Sequence, residues 1–202
     1  SQAAALAQRL DHPHALGLVR FGESIRELLC GRWQTAHSHA DQAVQIFRDR
    51  ARGVSFERVN AQLTSLWALF FLGEIRELTR RVQPLRAEAI ERGDQYTVTA
   101  SGLANLALLV EDEPDKARAQ FEATLGKWNT NGFHLPHFWG LLAQSLVDFY
   151  SGEHQAPWER MNRVWPELRG SLMLNIQHVR ILSLSGTRFG TTGQRVSIAT
   201  GA

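Results

Sequence analysis

Two series of turn residues, each repeating about every forty positions, constrain what this chain can fold into. The first series is Gly31, Gly73, Asp112 and Gly152, at spacings of 42, 39 and 40 residues. The second series is Gly53, Gly93, Gly132 and Gly170, at spacings of 40, 39 and 38 residues. Glycine just past a helix end readily takes the left-handed conformation that closes the last turn. The two series therefore predict a unit of helix, tight turn, helix and glycine turn, repeated about four times.

Apolar residues ahead of each first-series turn fall on one helical stripe. They stand ten, six and three positions before the turn: Phe21, Ile25, Leu28; Leu63, Trp67, Phe70; Gly102, Leu106, Leu109; Leu142, Leu146, Phe149. Twelve positions before the turn the residue is small, as Ala61, Ala100 and Gly140, with Val19 as the exception. Small side chains at one height let neighbouring helices approach closely. Since no stretch within residues 12–184 alternates like a β-strand, we predict an all-α solenoid of helix pairs.

The repeat pattern stops near Ser185. Residues 185–202 are rich in Gly, Thr and Ser, contain no acidic residue and show no helical stripe. We therefore predict a helical-repeat domain over residues 1–184, with partial units at both ends, and a disordered tail over 185–202. Because the array begins and ends within a unit, we expect the chain to be one arm of a longer protein.

Charge and hydropathy argue against two classes of partner. All 20 acidic residues lie before Ser185, beside 20 of the 22 basic ones, so residues 1–184 carry no net charge. Nucleic-acid-binding domains usually show a basic face, and none is evident, so we predict no nucleic-acid partner. The longest apolar run, residues 66–72, is too short to span a bilayer. With no leader pattern at the start, we expect no membrane association and a cytoplasmic location.

Motifs for chemistry are absent from the sequence. Cys30 is the only cysteine, which excludes a cysteine metal site and an internal disulfide. The histidine pairs His37/His39 and His134/His137 lack the spacing and the nearby glutamate of a zinc motif. The glycines of residues 186–193 are not followed by the lysine that a phosphate-binding loop requires. We therefore predict no metal, no cofactor and no catalytic residues, and treat an enzyme with an unrecognised site as unsupported.

Several stretches of the sequence resemble known helical repeats. Gly31, Arg32 and Trp33 with Ala36 and Ala43 resemble the tetratricopeptide repeat, lengthened to about forty residues. The stretches at 12–33, 56–78, 131–138 and 164–174 read HPHALGLVRFGESIRELLCGRW, FERVNAQLTSLWALFFLGEIREL, NGFHLPHF and VWPELRGSLML. They resemble the C-terminal tetratricopeptide-like region of large bacterial serine/threonine kinases that also carry an ATPase-like module. This resemblance implies a regulatory or scaffolding arm in signal transduction, and it carries over no catalytic residue.

A protein or peptide partner is the leading functional hypothesis, because helix-pair solenoids present a long concave face. The positions fifteen, eleven and eight before each turn form the more polar face of the first helices, and Trp139 lies off the core stripe. The binding candidates are Arg20, Glu23, Arg58, Gln62, Ser65, Thr97, Ser101, His137, Trp139 and Gln144. Two alternatives remain: a small-molecule or peptide sensor arm like those of ATP-dependent transcription regulators, and a spacer that only positions other domains.

Overall fold

A computed structural model describes residues 2–128 and 132–189, and every regular element within these residues is helical, as predicted. The α-helices are α1 (Gln2–Leu10), α2 (Pro13–Leu29), α3 (Trp33–Arg50), α4 (Ser55–Leu72), α5 (Ile75–Glu91), α6 (Gln95–Ala100), α7 (Asn105–Val110), α8 (Pro114–Leu125), α9 (Leu135–Tyr150), α10 (Gln155–Gly170) and α11 (Gln177–Phe189). Short 3-10 segments occupy Gly102–Ala104 and Leu172–Asn175. None of the helices in the described part is long and apolar enough to cross a membrane.

The four first-series turns share one backbone geometry. Their turn residues have positive φ angles of 75°, 74°, 59° and 79°, in chain order. In each turn the next residue donates its backbone N–H to the carbonyl five positions back, at 2.8–3.0 Å: Arg32 to Glu27, Glu74 to Leu69, Glu113 to Leu108 and Glu153 to Asp148. This bond is the mark of a helix closed by a left-handed residue. The turns predicted from the spacing are therefore the same structure four times.

The second series of turns agrees less completely with the prediction from the sequence. Gly53, Gly93 and Gly132 have positive φ angles of 69°, 67° and 86°. Gly170 differs, because it is the last residue of α10 and the chain leaves that helix at Ser171 in an extended conformation. Three of the four predicted glycine turns are thus left-handed turns, and the fourth is a helix end of another kind.

Asp112 is the one first-series turn residue that is not glycine. A left-handed backbone is costly for most residues, and aspartate is among those that tolerate it best. Its carboxylate also accepts a hydrogen bond of 2.7 Å from the hydroxyl of Tyr150, thirty-eight residues along the chain. Asp112 therefore replaces glycine at this turn and at the same time ties the turn to the end of α9.

Residues 1–107 form the first of two compact units. In this unit α3 lies against both α2 and α4, and α4 also contacts α2 and α5. The α2–α3 contact is close at Gly17, where a Cβ atom would stand 2.3 Å from Cε1 of Phe47. Phe47 is buried together with Ala43 and Ala61, the last of which is a predicted small position. Small residues therefore set the spacing of these helices.

The described residues from Leu108 to Phe189 form the second unit. Its core joins α9, α10 and α11 through Phe138, Met161, Leu168 and Val179, all buried. At Gly140, another predicted small position, a Cβ atom would stand 2.8 Å from a methyl group of Leu125 on α8. Here too a missing side chain allows two helices to approach.

The predicted first helix of the third unit is broken. It is divided into α6, a 3-10 segment and α7. The hydroxyls of Thr99 and Ser101 donate to the backbone carbonyls of Gln95 and Val98, and such back-bonding bends helices. Gly102 follows directly and adds a residue that is unfavourable in a helix interior.

The predicted tail begins inside a helix. Helix α11 continues to Phe189, so residues 185–189 are helical, whereas the rest of the predicted tail, residues 190–202, lies outside the described residues.

Candidate functional site: the α3–α5 groove

A cavity of about 450 Å³ opens between helices α3, α4 and α5 of the first unit. Each helix presents one stripe to it, and the lining side chains are Asp41, Val44 and Arg48 of α3, Gln62, Ser65 and Leu66 of α4, and Arg80, Arg81, Pro84 and Leu85 of α5. We call this cavity the α3–α5 groove. Two of the predicted binding residues, Gln62 and Ser65, line it.

A hydrogen-bonded network forms the floor of the α3–α5 groove and links its three helices. The hydroxyl of Ser65 donates to Oδ1 of Asp41 at 2.9 Å, and Nδ1 of His37 lies 2.8 Å from the same hydroxyl. Nη1 of Arg81 donates to both carboxylate oxygens of Asp41 at 2.8 Å. Burial works to lower the pKa of Arg81, but its hydrogen bonds to Asp41 and Glu77 outweigh burial and raise that pKa. The network therefore keeps a charged guanidinium in a fixed position.

Ser65, His37 and Asp41 have the residue types of a hydrolase triad but not its arrangement. In a triad the serine hydroxyl donates to histidine and the carboxylate orients that histidine. Here the Ser65 hydroxyl donates to Asp41, and Nε2 of His37 stands 3.7 Å from the same carboxylate. Ser65 is 2% exposed. The three side chains therefore act as a link between α3 and α4.

Arginine side chains form the rim of the α3–α5 groove. Arg80 donates to both oxygens of Glu77 at 2.6 and 2.7 Å, and Arg48 donates to Asp49 at 2.7 Å. Hydrogen bonds from Arg80 and then Arg81 lower the pKa of Glu77 from 4.5 to about 2. The side chains of Arg48 and Arg80 are nevertheless 60% and 69% exposed. The rim is thus charged, accessible and held by surface ion pairs.

Gln62 has an unpartnered side-chain amide beside this rim, and Pro84 removes one helical hydrogen-bond donor there. The side-chain amide of half-buried Gln62 has no hydrogen-bond partner among the described residues. Pro84 lies inside α5 and has no N–H, so the carbonyl of Arg80 lacks its usual intrahelical donor. The α3–α5 groove therefore contains groups that can still hydrogen-bond to a ligand.

Two other predicted binding residues of the first unit, Glu23 and Arg58, lie near second helices of helix pairs. Arg20 pairs with Glu23 at 2.9 Å, and Glu23 also lies 3.9 Å from His39 on α3. Arg58, one turn before Gln62 on α4, lies 4.0 Å from Glu88 on α5.

Thr97 and Ser101 have no exposed surface. The Thr97 hydroxyl donates to Asp94 at 2.5 Å, and the Ser101 hydroxyl donates to the backbone carbonyl of Val98 at 3.0 Å. The predicted polar face is therefore exposed at some positions and internal at others.

The predicted residues of the second unit lie near the start and middle of α9. Nδ1 of His137 accepts the backbone N–H of His134 at 3.0 Å, which caps this helix. Trp139 is half-buried and packs against the core of the unit, with its ring 6.0 Å from that of His178. Gln144 is half-buried on the same helix.

Several polar residues of the structure were not predicted as functional. Asp41, Arg81 and His37 of the groove floor belong to second helices, whereas the prediction considered only first helices. A signal was present in the repeat, because Arg81 and Arg160 both stand eight positions after a first-series turn.

Arg160 occupies the corresponding place in the second unit, beside a buried carboxylate. Its Nη1 lies 2.6 Å from Oδ2 of the fully buried Asp148, although the alignment is too poor for a hydrogen bond. Arg118 of α8 donates to the other oxygen at 2.8 Å. Asp148 therefore joins α8, α9 and α10, as the groove floor joins α3, α4 and α5.

No group of three or more histidine, cysteine, aspartate or glutamate side chains within the described ranges is arranged to hold a metal ion. Comparisons of the chain with protein-family models, with curated proteins and with solved structures produced no match.

Proposed function

We propose that this chain is a non-catalytic binding domain, a tetratricopeptide-like solenoid that holds a protein or peptide partner. The repeated turn geometry supports the solenoid, since the same left-handed closure follows the first helix of each of four pairs. The observation that carries the binding function is the α3–α5 groove: an accessible polar cleft whose floor is hydrogen-bonded across three helices.

A rigid floor with an adaptable rim suits recognition. Binding loses less conformational entropy when the receptor is already ordered, and the floor residues Asp41, Ser65 and Arg81 are ordered by one another. Exposed arginines at the rim can reorient toward an arriving ligand. The α3–α5 groove therefore combines a fixed base with groups that adjust.

The place of this domain in a larger protein follows from the sequence resemblance. The sequence stretches at 12–33 and 56–78 resemble the C-terminal region of bacterial serine/threonine kinases with an ATPase-like module. In this proposal the domain is the scaffolding or sensor arm of such a cytoplasmic signalling kinase, and catalysis belongs to other parts of the protein.

A small-molecule sensor is the second candidate. The volume of the α3–α5 groove, about 450 Å³, falls in the range typical of small-ligand pockets, roughly 300–1,000 Å³. The arginine rim is open, however, so that the groove encloses a free ligand poorly, and the protein or peptide partner remains the first choice.

Affinity capture with matched variants tests the binding function. The immobilised wild-type chain, an Arg58→Ala/Gln62→Ala variant and an Arg163→Ala/Glu167→Ala control would each be exposed to lysate, with bound proteins quantified by mass spectrometry. The control pair lies exposed on α10 of the second unit. We expect a specific partner to be captured by the wild type and the control but depleted at least about tenfold on the Arg58→Ala/Gln62→Ala variant, which changes Gln62 in the groove and Arg58 one turn before it on α4.

Circular dichroism must show equal helicity for the three proteins. If every captured protein is equally abundant on the wild type and on the Arg58→Ala/Gln62→Ala variant, this face of α4 does not hold the partner.

A further inference from the structure

We propose that the α3–α5 groove is a carboxylate-binding site, filled by the side chain of a glutamate or aspartate on the peptide or protein partner. This inference rests on the proposed binding function and names the group that is recognised.

An excess of hydrogen-bond donors in the α3–α5 groove indicates an anionic ligand. Nε of Arg81 donates to Glu77, and its Nη1 donates to Asp41 and Ser65. Nη2 of Arg81 has no acceptor among the described residues. Nε and Nη2 of Arg48 donate to Asp49, and Nε and Nη2 of Arg80 donate to Glu77. Nη1 of each of these two arginines therefore has no acceptor among the residues that the structure describes. The amide of Gln62 adds two further N–H groups.

The acceptors of the α3–α5 groove are already engaged. Asp41, the only carboxylate that lines it, accepts from Ser65 and Arg81. A ligand that brought donors would find mainly the side-chain oxygen of Gln62. A ligand that brings a carboxylate finds three guanidinium groups and an amide, and bidentate arginine contacts are among the strongest that a carboxylate makes.

The rim arginines can exchange partners at little cost. The ion pairs Arg80–Glu77 and Arg48–Asp49 join residues three and one apart on their own helices, and both arginines are mostly exposed. Exposed pairs of this kind contribute little free energy, about 0–1 kcal/mol. An arriving carboxylate can therefore replace Glu77 or Asp49 without breaking the groove floor, where Arg81 remains fixed on Asp41.

The open rim favours a side chain projecting from a larger body over a free organic acid. Small-ligand pockets bury most of the surface of their ligand. In the α3–α5 groove the two rim arginines are 60% and 69% exposed, so one side of an occupant remains in solvent. A side chain entering from a bound peptide fits this geometry, because its backbone remains outside the rim.

Fluorescence anisotropy with defined peptides tests the proposal on the full chain. The probe is a fluorescein-labelled, C-terminally amidated peptide of alternating glycine and glutamate, and its counterpart carries glutamine in place of glutamate. We expect the glutamate peptide to bind at least about tenfold more tightly than the glutamine peptide. Equal affinities would overturn the proposal.

Two variants show whether the α3–α5 groove is responsible. Arg48→Gln/Gln62→Leu should weaken the glutamate peptide at least about tenfold, whereas the control Arg163→Gln/Arg169→Gln removes two exposed charges of α10 and should leave its affinity within about twofold. If both variants lost affinity for the glutamate peptide equally, the binding would be general charge attraction, and the α3–α5 groove would not be the binding site. If the Arg48→Gln/Gln62→Leu variant folds poorly, Gln62→Leu alone, which keeps every charge, takes its place. It should still weaken binding of the glutamate peptide measurably, and an unchanged affinity would overturn the role of Gln62.

Competition with free glutarate identifies the source of the carboxylate. We expect glutarate to displace the peptide only at concentrations at least about a hundredfold above the peptide Kd. Displacement at concentrations near that Kd would make the occupant a free organic acid and overturn the peptide assignment. If the Arg58→Ala/Gln62→Ala variant of the capture experiment still loses a partner while both peptides bind equally, the binding function stands and the carboxylate inference fails. If neither partner nor peptide depends on the groove, both fail.

Discussion

At the residue scale, buried charges are held by arginines in both compact units. Glu27 is 4% exposed and lies beside Arg26 and Arg32, and a hydrogen bond from Arg32 lowers the pKa of Glu27. Asp148 is fully buried between Arg118 and Arg160. Both acids stand four positions before a first-series turn. A buried carboxylate is costly unless it is paired, so each of these acids requires its arginines.

The carboxylate of Glu77 makes the stability of the first unit depend on pH. Its pKa is about 2 in the folded chain against 4.5 for the free side chain, because Arg80 and Arg81 donate to the ionised form. The stabilisation is fully present above about 4.5 and is lost as the pH falls toward about 2. We expect Glu77→Gln to lower the free energy of unfolding at pH 6 and to have a smaller effect near pH 3. Urea unfolding at the two pH values measures this.

Glu159→Gln is the matched control for that titration, since Glu159 is an exposed acid of α10 for which the structure records no ion pair among its described residues. Its effect should be small at both pH values. If Glu77→Gln costs the same at pH 6 and near pH 3, the arginine contacts do not stabilise the ionised form of Glu77.

At the element scale, the helices follow the predicted turns more closely than the predicted faces. A left-handed turn depends on one residue and its neighbours, so glycine spacing located the turns from the sequence alone. The exposed face depends on which side chains find partners. Ser65 and Ser101 were predicted on a binding face because they are polar, but their hydroxyls are hydrogen-bonded inside the fold. A serine with an internal partner looks the same in the sequence as one in solvent.

The groove floor was missed for a related reason. Its central pair, Asp41 and Arg81, joins residues forty positions apart on second helices. Arginines are scattered through the whole sequence, and nothing local distinguishes Arg81 from its neighbour Arg80. Of the groove, the prediction therefore contained Gln62 and Ser65 but neither their charged neighbours nor the cavity itself.

Two glycines of α2 provide a matched test of how closely the helices pack. A Cβ atom at Gly17 would overlap the ring of Phe47, whereas at Gly22 no atom lies within 4 Å. Gly17→Ala should destabilise the fold by about 1–3 kcal/mol through overpacking. Gly22→Ala should stabilise it by about 0.5–1 kcal/mol, since alanine is the better helix former. Thermal melting followed by circular dichroism measures both shifts.

Opposite signs are the essential outcome for this pair. If both alanine variants move the melting temperature in the same direction, the close contact of α2 with Phe47 is absent in solution.

At the scale of the whole molecule, the helices that pack together extensively are close neighbours along the chain. If the chain is a solenoid, as we propose, we expect its stability to be close to a sum of local terms, so that a defect is felt mainly by the helices beside it. This locality also explains why the repeat was visible in the sequence. A structure built from neighbour contacts repeats its requirements at a fixed spacing.

Removing one core side chain of the second unit tests this locality. Phe138 is fully buried against Met161, Leu168 and Val179, and Phe138→Ala should cost about 3–5 kcal/mol. We expect hydrogen exchange, followed by mass spectrometry, to accelerate in α9, α10 and α11 while α2, α3 and α4 keep their protection. The control Leu172→Ala removes a side chain that is 76% exposed and should change neither group. Equal acceleration in both units would mean that the chain unfolds as one cooperative body.

The left-handed turns also determine how amino-acid changes at the surface of this chain should be read. Around Gly31, Gly53, Gly73, Gly93 and Gly152 there is open space for a side chain, yet each has a positive φ angle. A ranking of sequence variants by solvent exposure or free volume would class them with Gly22 as tolerant sites. In saturation mutagenesis we expect Gly22 to accept most residues and the turn glycines to accept chiefly asparagine and aspartate, the residue that already stands at position 112.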